Sequence, residues 1–404
     1  MTTRTPPQEI ETAAPELSVG RRVEGIDVLR GMAVVLVVLH HIHLRFRLNH
    51  YPVAGLLPAP LGTVLFGSGY YSVITFFVIS GFLIASLSLR RWGSLDGIPL
   101  SRFYRLRGAR ILPCLLLLLA VLSVLHLAGA SDFTIKPERA SLGRALAAAL
   151  TFHVGWLEGQ HGYLPANWDV LWSLSVEETF YVLFPLVCVM LRRERWIMMC
   201  MVALIVIGPL NRVALEGREP WDEYAYLSCM DGVAFGCIAA WVAARVRLSR
   251  PVLRGAMAAG TLAVISIVVF RKQVSDLGLS GIGLNITTLE MGMALVLMAL
   301  AGGVGNSALS RGTGWLQLAG RCSYEIYLTH MFIVLGLMHP FRVLFEAGPA
   351  GFAVYGITYA IMLVLSILVG YIVARRFSDP LHTALREEYS GRAARSLQSA
   401  SRGR

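Results

Sequence analysis

Charge is scarce in this sequence. Only 15% of its 404 residues are Asp, Glu, Lys or Arg, against about 25% in soluble domains. With 55% hydrophobic residues and a mean hydropathy of +0.61, that scarcity excludes a soluble globular protein and points to a polytopic membrane protein. Lysine is almost missing: 2 of the 36 basic residues are Lys and 34 are Arg. The net charge of +11 is explained by topology, because cytoplasmic loops of membrane proteins are rich in Lys and Arg; nucleic acid is not the expected partner. Six cysteines (Cys114, Cys188, Cys200, Cys229, Cys237, Cys322) lie in or beside apolar segments with no CxxC spacing. They read as small core residues, neither disulfides nor metal ligands. No internal repeat and no Gly-rich phosphate loop is present. No cleavable signal peptide is expected either, since the polar stretch Met1–Glu24 runs straight into a full-length span.

Apolar runs of about 20 residues, long enough to cross a bilayer, lie near 25–44, 70–90, 111–129, 169–190, 196–212, 226–245, 252–270, 284–304, 320–339 and 351–374. They predict an all-α integral membrane bundle of about ten transmembrane helices, with both termini cytoplasmic. Residues 1–24 are expected to be a disordered cytoplasmic tail, 25–376 the transmembrane domain, and 377–404 a basic cytoplasmic tail that could lie on anionic lipid. A weaker apolar stretch, 144–157, could make an eleventh span. Arginine placement argues against it. With ten spans, 25 basic residues fall in cytoplasmic segments and 10 in outer ones; an eleventh would turn the Arg192, Arg193, Arg195 cluster and the C-terminal arginines outward, against the positive-inside bias. The stretch is therefore read as re-entrant or interfacial, inside an outer loop, 130–168. That loop is long by loop standards and so a candidate binding lid, with Trp156, His161, Tyr163 and Trp168 in it.

The first span, G-I-D-V-L-R-G-M-A-V-V-L-V-V-L-H-H-I-H-L, carries Asp27, Arg30, His40, His41 and His43. A charge at the bilayer centre costs about 3 kcal/mol or more, so such groups usually line a cavity or reaction path. Arg30 and His41 are 11 residues apart, about 16 Å along the axis and close to three turns, so both side chains share one face. Two further constellations stand out. Arg107 and Arg110, at i and i+3, share a face at the mouth of the third span, and arginine forks suit phosphate; Arg30 lies at a similar depth and could complete the cluster. Their alternative reading is plain positive-inside charge. The fourth span holds Glu177 and Glu178. Adjacent carboxylates diverge by about 100°, so one is expected to face the cavity and the other a partner helix. A carboxylate there could orient His41; each could equally be a satisfied structural group. In the ninth span Tyr324, Glu325 and His330 fit helix packing as well as catalysis. The three clustered histidines do not suggest a metal, because neighbours on a helix diverge and no Cys/Asp set accompanies them.

The first-span run, F-F-V-I-S-G-F-L-I (76–84), F-Y-R-L-R-G-A-R-I-L-P (103–113), L-W-S-L-S-V-E-E-T-F-Y-V-L-F-P (171–185) and Y-E-I-Y-L-T-H (324–330), in this order, resemble the acyltransferase-3 family of bacterial integral-membrane O-acyltransferases over roughly residues 20–380. The family's Arg-x10-His pair falls on Arg30 and His41, its Arg-x-x-Arg on Arg107 and Arg110, and its W-S-L-x-x-E on Trp172 through Glu177. The resemblance implies a multi-pass protein of the bacterial cytoplasmic membrane. It would move an acyl group, usually acetyl, from cytoplasmic acyl-CoA to a hydroxyl of a carbohydrate, lipid-linked glycan or glycosylated metabolite. No permanently bound cofactor is implied, and no extra extracytoplasmic hydrolase domain is expected. His41 and Glu177 would be catalytic, Arg30, Arg107 and Arg110 would hold the donor, and Asp27, Glu178, Tyr324 and His330 would support them. The competing class is a transporter or flippase of lipid-linked sugars, which would need matched repeats and broken helices and would not bind coenzyme A.

Overall fold

The computed structural model describes residues 23–51, 53, 55–346 and 351–385. The predicted C-terminal tail beyond 385, and nearly all of the predicted N-terminal tail, lie outside the described residues. Twelve helices carry the architecture: α1 (Glu24–Leu48), α2 (Gly69–Trp92), α3 (Leu100–Leu127), α4 (Leu142–Leu150), α5 (Val154–His161), α6 (Leu171–Leu191), α7 (Glu194–Leu215), α8 (Met230–Arg245), α9 (Arg250–Val269), α10 (Leu284–Ala301), α11 (Ser323–Glu346) and α12 (Phe352–Val373). No strand occurs among the described residues. In a bilayer every backbone polar group must be paired within the segment, so apolar runs of this length form helices.

Nine stretches among the described residues are long and apolar enough to cross a membrane. The sixth predicted span is the exception. Its helix, α8, has 16 residues, about 24 Å, and is buried within the bundle, with Val233, Ala234 and Cys237 inaccessible. It runs against α2 at very close range. A Cβ added at Gly81 would meet the Val233 carbonyl oxygen at 1.9 Å, and one at Gly236 the Val78 oxygen at 2.0 Å. Only glycine allows that approach, as expected where helices meet through small residues. At the opposite extreme α7 and α9 turn Met199, Leu210 and Leu262 outward, as a lipid-facing flank does.

The segment 144–157 does not span. It falls on α4 and α5, two pieces of 9 and 8 residues. Ser141 caps α4 by accepting from the Arg144 amide at 3.2 Å. The region is a seated cover more than an open loop. Val154 N–H donates to Ser175 Oγ at 3.1 Å, and Asn167 Nδ2 to the Leu328 carbonyl at 2.7 Å, tying it to α6 and α11. Trp168, expected in a binding lid, is instead wholly buried core, whereas Trp156 and Tyr163 are exposed. Glu158 is also wholly buried, with one oxygen accepting from the Leu164 amide at 2.9 Å and the other without a hydrogen-bond partner among the described residues. Burial first, and then the nearby Asp169 charge, push its carboxyl well above the usual range.

Candidate active site

Helices α1, α2, α3, α6 and α11 converge on a cavity of about 130 Å³. Arg30 enters from α1, Arg107 and Arg110 from α3, Glu177 and Glu178 from α6, and Tyr324 from α11. Six residues singled out in the sequence are thus brought to one space. The i, i+3 spacing of Arg107 and Arg110 puts both on the α3 face that borders the cavity. Arg30 Nη2 donates to Ser323 Oγ at 2.8 Å. The Arg107 guanidinium lies 4.2 Å from the centre of the Tyr181 ring, a cation–π contact. Among the described residues neither Arg107 nor Arg110 has an ion pair.

Both glutamates border the cavity, which corrects the expectation that one would turn to a partner helix. A space that wraps around the helix can touch side chains 100° apart. Glu177 Oε1 accepts from Ser80 Oγ at 2.6 Å and from the Tyr181 hydroxyl, and those two hydroxyls also touch. Tyr181 follows Glu177 by one turn, so their contact was readable from spacing. Ser80, on another helix, was not. Asp27 is buried on α1 one turn before Arg30 and is not part of the cavity wall.

The predicted pairing of Glu177 with His41 is not found. Glu177 is engaged by Ser80 and Tyr181, and the partner of His41 is His330. Helices α1 and α11 run side by side in the same direction, with Arg30 on Ser323 near their starts and His41 on His330 further along. His330 is fully buried. Its Nδ1 lies 2.7 Å from the Tyr327 carbonyl oxygen and its Nε2 3.3 Å from His41 Nδ1. His41 Nδ1 also lies 2.9 Å from the Val37 carbonyl. A carbonyl only accepts, so both Nδ1 atoms carry hydrogens. His330 Nε2 then accepts from His41 Nδ1–H, and His41 Nε2 is left with its lone pair. The other imidazoles are occupied locally: His40 Nδ1 meets the Phe66 carbonyl at 2.7 Å, and His43 Nδ1 meets the Tyr359 hydroxyl at 2.9 Å. That separates His41 from its neighbours.

His41 and His330 do not border the cavity. Tyr327 links the two regions, since it borders the cavity and its carbonyl anchors His330. Among the described residues no group of three or more metal-binding side chains converges.

Comparison with known proteins decides the family. The Acyltransferase domain family matches residues 23–375. The chain belongs to this family. Among curated relatives, a putative O-acetyltransferase of Staphylococcus aureus (strain COL) is 31% identical over 175 residues, 42% of this chain and 25% of the relative. The O-acetyltransferase OatA of Staphylococcus aureus (strain NCTC 8325 / PS 47) is 29% identical over 178 residues, 41% of this chain and 25% of OatA. The matched region thus spans a quarter of the length of these relatives. No solved structure matches. Within this acyltransferase domain, the arginine-lined cavity and the histidine pair are the two regions where chemistry can be sought.

Proposed function

We propose that this protein is a membrane-bound O-acyltransferase that moves an acyl group, acetyl as in the O-acetyltransferases it resembles, from acyl-CoA to a hydroxyl on a carbohydrate or glycosylated acceptor. Both termini are cytoplasmic, and the bilayer is the bacterial cytoplasmic membrane. The observation that carries the reading is the contact of His41 Nδ1 with the Val37 carbonyl and with His330 Nε2, which puts the ring hydrogen on Nδ1 and leaves Nε2 as the base. Arg30, Arg107 and Arg110 hold the donor's phosphates by charge-assisted hydrogen bonds. The thioester arm extends toward His41, over the about 16 Å that separates Arg30 from His41 on α1.

In the transfer, His41 Nε2 takes the acceptor's hydroxyl proton as the oxygen attacks the thioester carbonyl. The new C–O bond forms, the C–S bond breaks, and the proton passes on to the departing thiolate. His330 accepts the His41 Nδ1–H and hands its own Nδ1–H to the Tyr327 carbonyl, which keeps the ring oriented and stabilises the imidazolium. His330 is a positioning residue. Glu177, held by Ser80 and Tyr181, shapes the cavity wall beside Arg30 and Arg107.

The test is acetyl-CoA thioester loss by the purified full chain in detergent, over a panel of sugar acceptors. Wild type is compared with His41→Ala and with Arg107→Ala/Arg110→Ala. General-base loss should slow turnover about 10²–10⁴-fold, and the arginine variant should bind coenzyme A weakly. Near-normal turnover in His41→Ala would reject the base. Absence of coenzyme A binding in wild type would reject the donor.

A further inference from the structure

The face of α1 that carries Arg30 and His41 holds a second cation. Arg45 follows His41 by four residues, one turn and about 6 Å further along the axis. It is half-buried. Its Nε is shielded from solvent without a hydrogen-bond partner, and its side chain makes no ion pair among the described residues. A buried donor left over in this way asks for an acceptor. Arg45 lies in the field of His41 and, foremost among carboxylates, of Asp169, which stands two residues before α6. Asp169 Oδ1 accepts from the Tyr224 hydroxyl at 2.8 Å, and Tyr224 stacks on Trp172 with ring centres 4.3 Å apart. The same segment is tied to the histidine pair: the Tyr327 hydroxyl donates to the Val170 carbonyl at 3.1 Å, while the Tyr327 carbonyl meets His330 Nδ1. Arg45 and Asp169 thus sense each other beside the proposed base, yet they form no salt bridge. The neighbouring charges do not close the gap either. Asp132, the other carboxylate near Arg45, is taken by His339 at 2.7 Å, and Glu158, near Asp169, holds its proton tightly.

A guanidinium only donates hydrogen bonds, a carboxylate only accepts them, and a hydroxyl does both. A charge pair left open therefore suits a ligand rich in hydroxyls. We propose that Arg45 and Asp169 form the seat of a neutral polyhydroxyl acceptor. One acceptor hydroxyl bridges the guanidinium and the carboxylate, and a neighbouring hydroxyl meets His41 Nε2 one turn away, where it loses its proton in the transfer described above. The two charges of the seat cancel. Further out, Glu219, Asp222 and Glu223 flank Tyr224 in the chain, so the surroundings add no positive charge that would welcome an anion. The seat therefore selects neutral glycosides over uronates and phosphorylated sugars. Arg45 and Asp169 are binding and positioning residues, and the inference rests on the acyltransferase reading above, whose acceptor class it narrows. A water bridging the pair as plain scaffold is the alternative, and disturbing a scaffold would affect every acceptor alike.

The experiment is acetyl transfer from acetyl-CoA by the purified full chain in detergent to methyl glucoside, methyl N-acetylglucosaminide and methyl glucuronide, with octyl glucoside as a lipid-borne counterpart. Wild type should use the better neutral glycoside with a kcat/KM at least about tenfold above that of the glucuronide. Arg45→Gln and Asp169→Asn should each raise KM for the neutral glycosides about tenfold, one charged hydrogen bond apiece, and leave KM for acetyl-CoA alone. Asp169→Asn keeps an oxygen for the Tyr224 hydroxyl. The two variants should part on the glucuronide: Asp169→Asn leaves a net positive seat and lowers its KM, whereas Arg45→Gln leaves a net negative one and raises it. Circular dichroism checks folding, and either variant alone carries the test. A lower KM for octyl than for methyl glucoside would assign the seat to a lipid-borne sugar, and equal values to a soluble one. Wild-type preference for the glucuronide, or an equal shift of all acceptors in both variants, would overturn the seat. So would failure to acetylate any glycoside by a wild type that binds coenzyme A, and the donor reading would then stand. Absence of coenzyme A binding would overturn the donor reading and the seat with it.

Discussion

Arg212 and the three arginines of the cavity, all on membrane-length helices, are built on opposite plans. Arg212 on α7 is closed. Its Nη1 and Nη2 grip both oxygens of Asp231 at 3.2 and 2.7 Å, Nη1 donates to the Ser228 carbonyl at 2.6 Å, Nη2 to Thr287 Oγ1 at 2.7 Å, and Nε to the Gly283 carbonyl at 3.2 Å. All five N–H donors of the guanidinium are used, tying α7 to α8 and α10. Arg30, Arg107 and Arg110 are open: one hydrogen bond to Ser323, one ring contact, no ion pair among the described residues, and a shared cavity. A cation on a membrane-length helix therefore does not mark a site by itself. A saturated cation is structure, and one with donors left over beside a cavity is prepared for a ligand.

That contrast can be tested at both ends. The largest effect expected is at the histidine pair, where His41→Ala should reduce turnover about 10²–10⁴-fold while the thermal midpoint in detergent hardly moves. Arg212→Ala should do the reverse. Removing one partner of a buried pair costs about 3–5 kcal/mol, read as a lowered unfolding midpoint, with turnover per folded molecule preserved. If Arg212→Ala instead spared stability and raised KM, the closed group would be functional and the distinction would fail. Arg107→Ala/Arg110→Ala should raise KM for acetyl-CoA about 100-fold, two charged hydrogen bonds at roughly tenfold each, without lowering stability. His330→Asn should lower kcat about tenfold, at the modest end of general-base effects, leave KM alone and change the shape of the pH–rate profile. A purely structural His330 would change stability but not the profile.

The smallest effect concerns the cover. The Glu158 carboxyl is held well above the usual range, so the folded protein grips that proton more tightly than the unfolded chain. The contribution of this group to stability is then fully present at low pH and falls as the pH rises from the ordinary carboxylate range upward. Glu158→Gln keeps the acceptor for the Leu164 amide and should flatten this decline. The difference in midpoint between acidic and neutral pH should shrink by about 2 °C, measured by thermal unfolding over that range. An unchanged slope would mean that Glu158 is not the group responsible.

Much of the fold was legible in the sequence because the bilayer leaves few options. Runs of about 20 apolar residues must be helices, and ten were placed in register with the helices found; the sixth, α8, was too short for a length criterion yet still revealed by its apolar run. The stretch 144–157, which arginine counts argue against as a span, folds as two short helices of 9 and 8 residues. The arginines of the site were also legible, because i, i+3 spacing on one helix is a local property. The wrong expectations share another origin. Glu177 was assigned to His41 because both are polar groups on transmembrane helices, but which helix lies against which is decided by packing. The choice of α11 as the neighbour of α1 put His330 there instead. Trp168 looked like part of a binding lid from its loop position and is core, because the cover folds down onto α6 and α11.

The sequence by itself determined that the chain is a helical membrane bundle, that one helix face carries Arg30 and His41, and that Arg107 and Arg110 point the same way. These follow from hydropathy and from the 3.6-residue period, which act within one segment. Only the tertiary structure decided that His330 takes the His41 proton side, that Ser80 and Tyr181 hold Glu177, and that Arg212 is closed while Arg107 is open. Hydrogen bonds between helices depend on angstrom-scale approach, set by contacts such as Gly81 against Val233, and nothing in the spacing of a single helix encodes that distance.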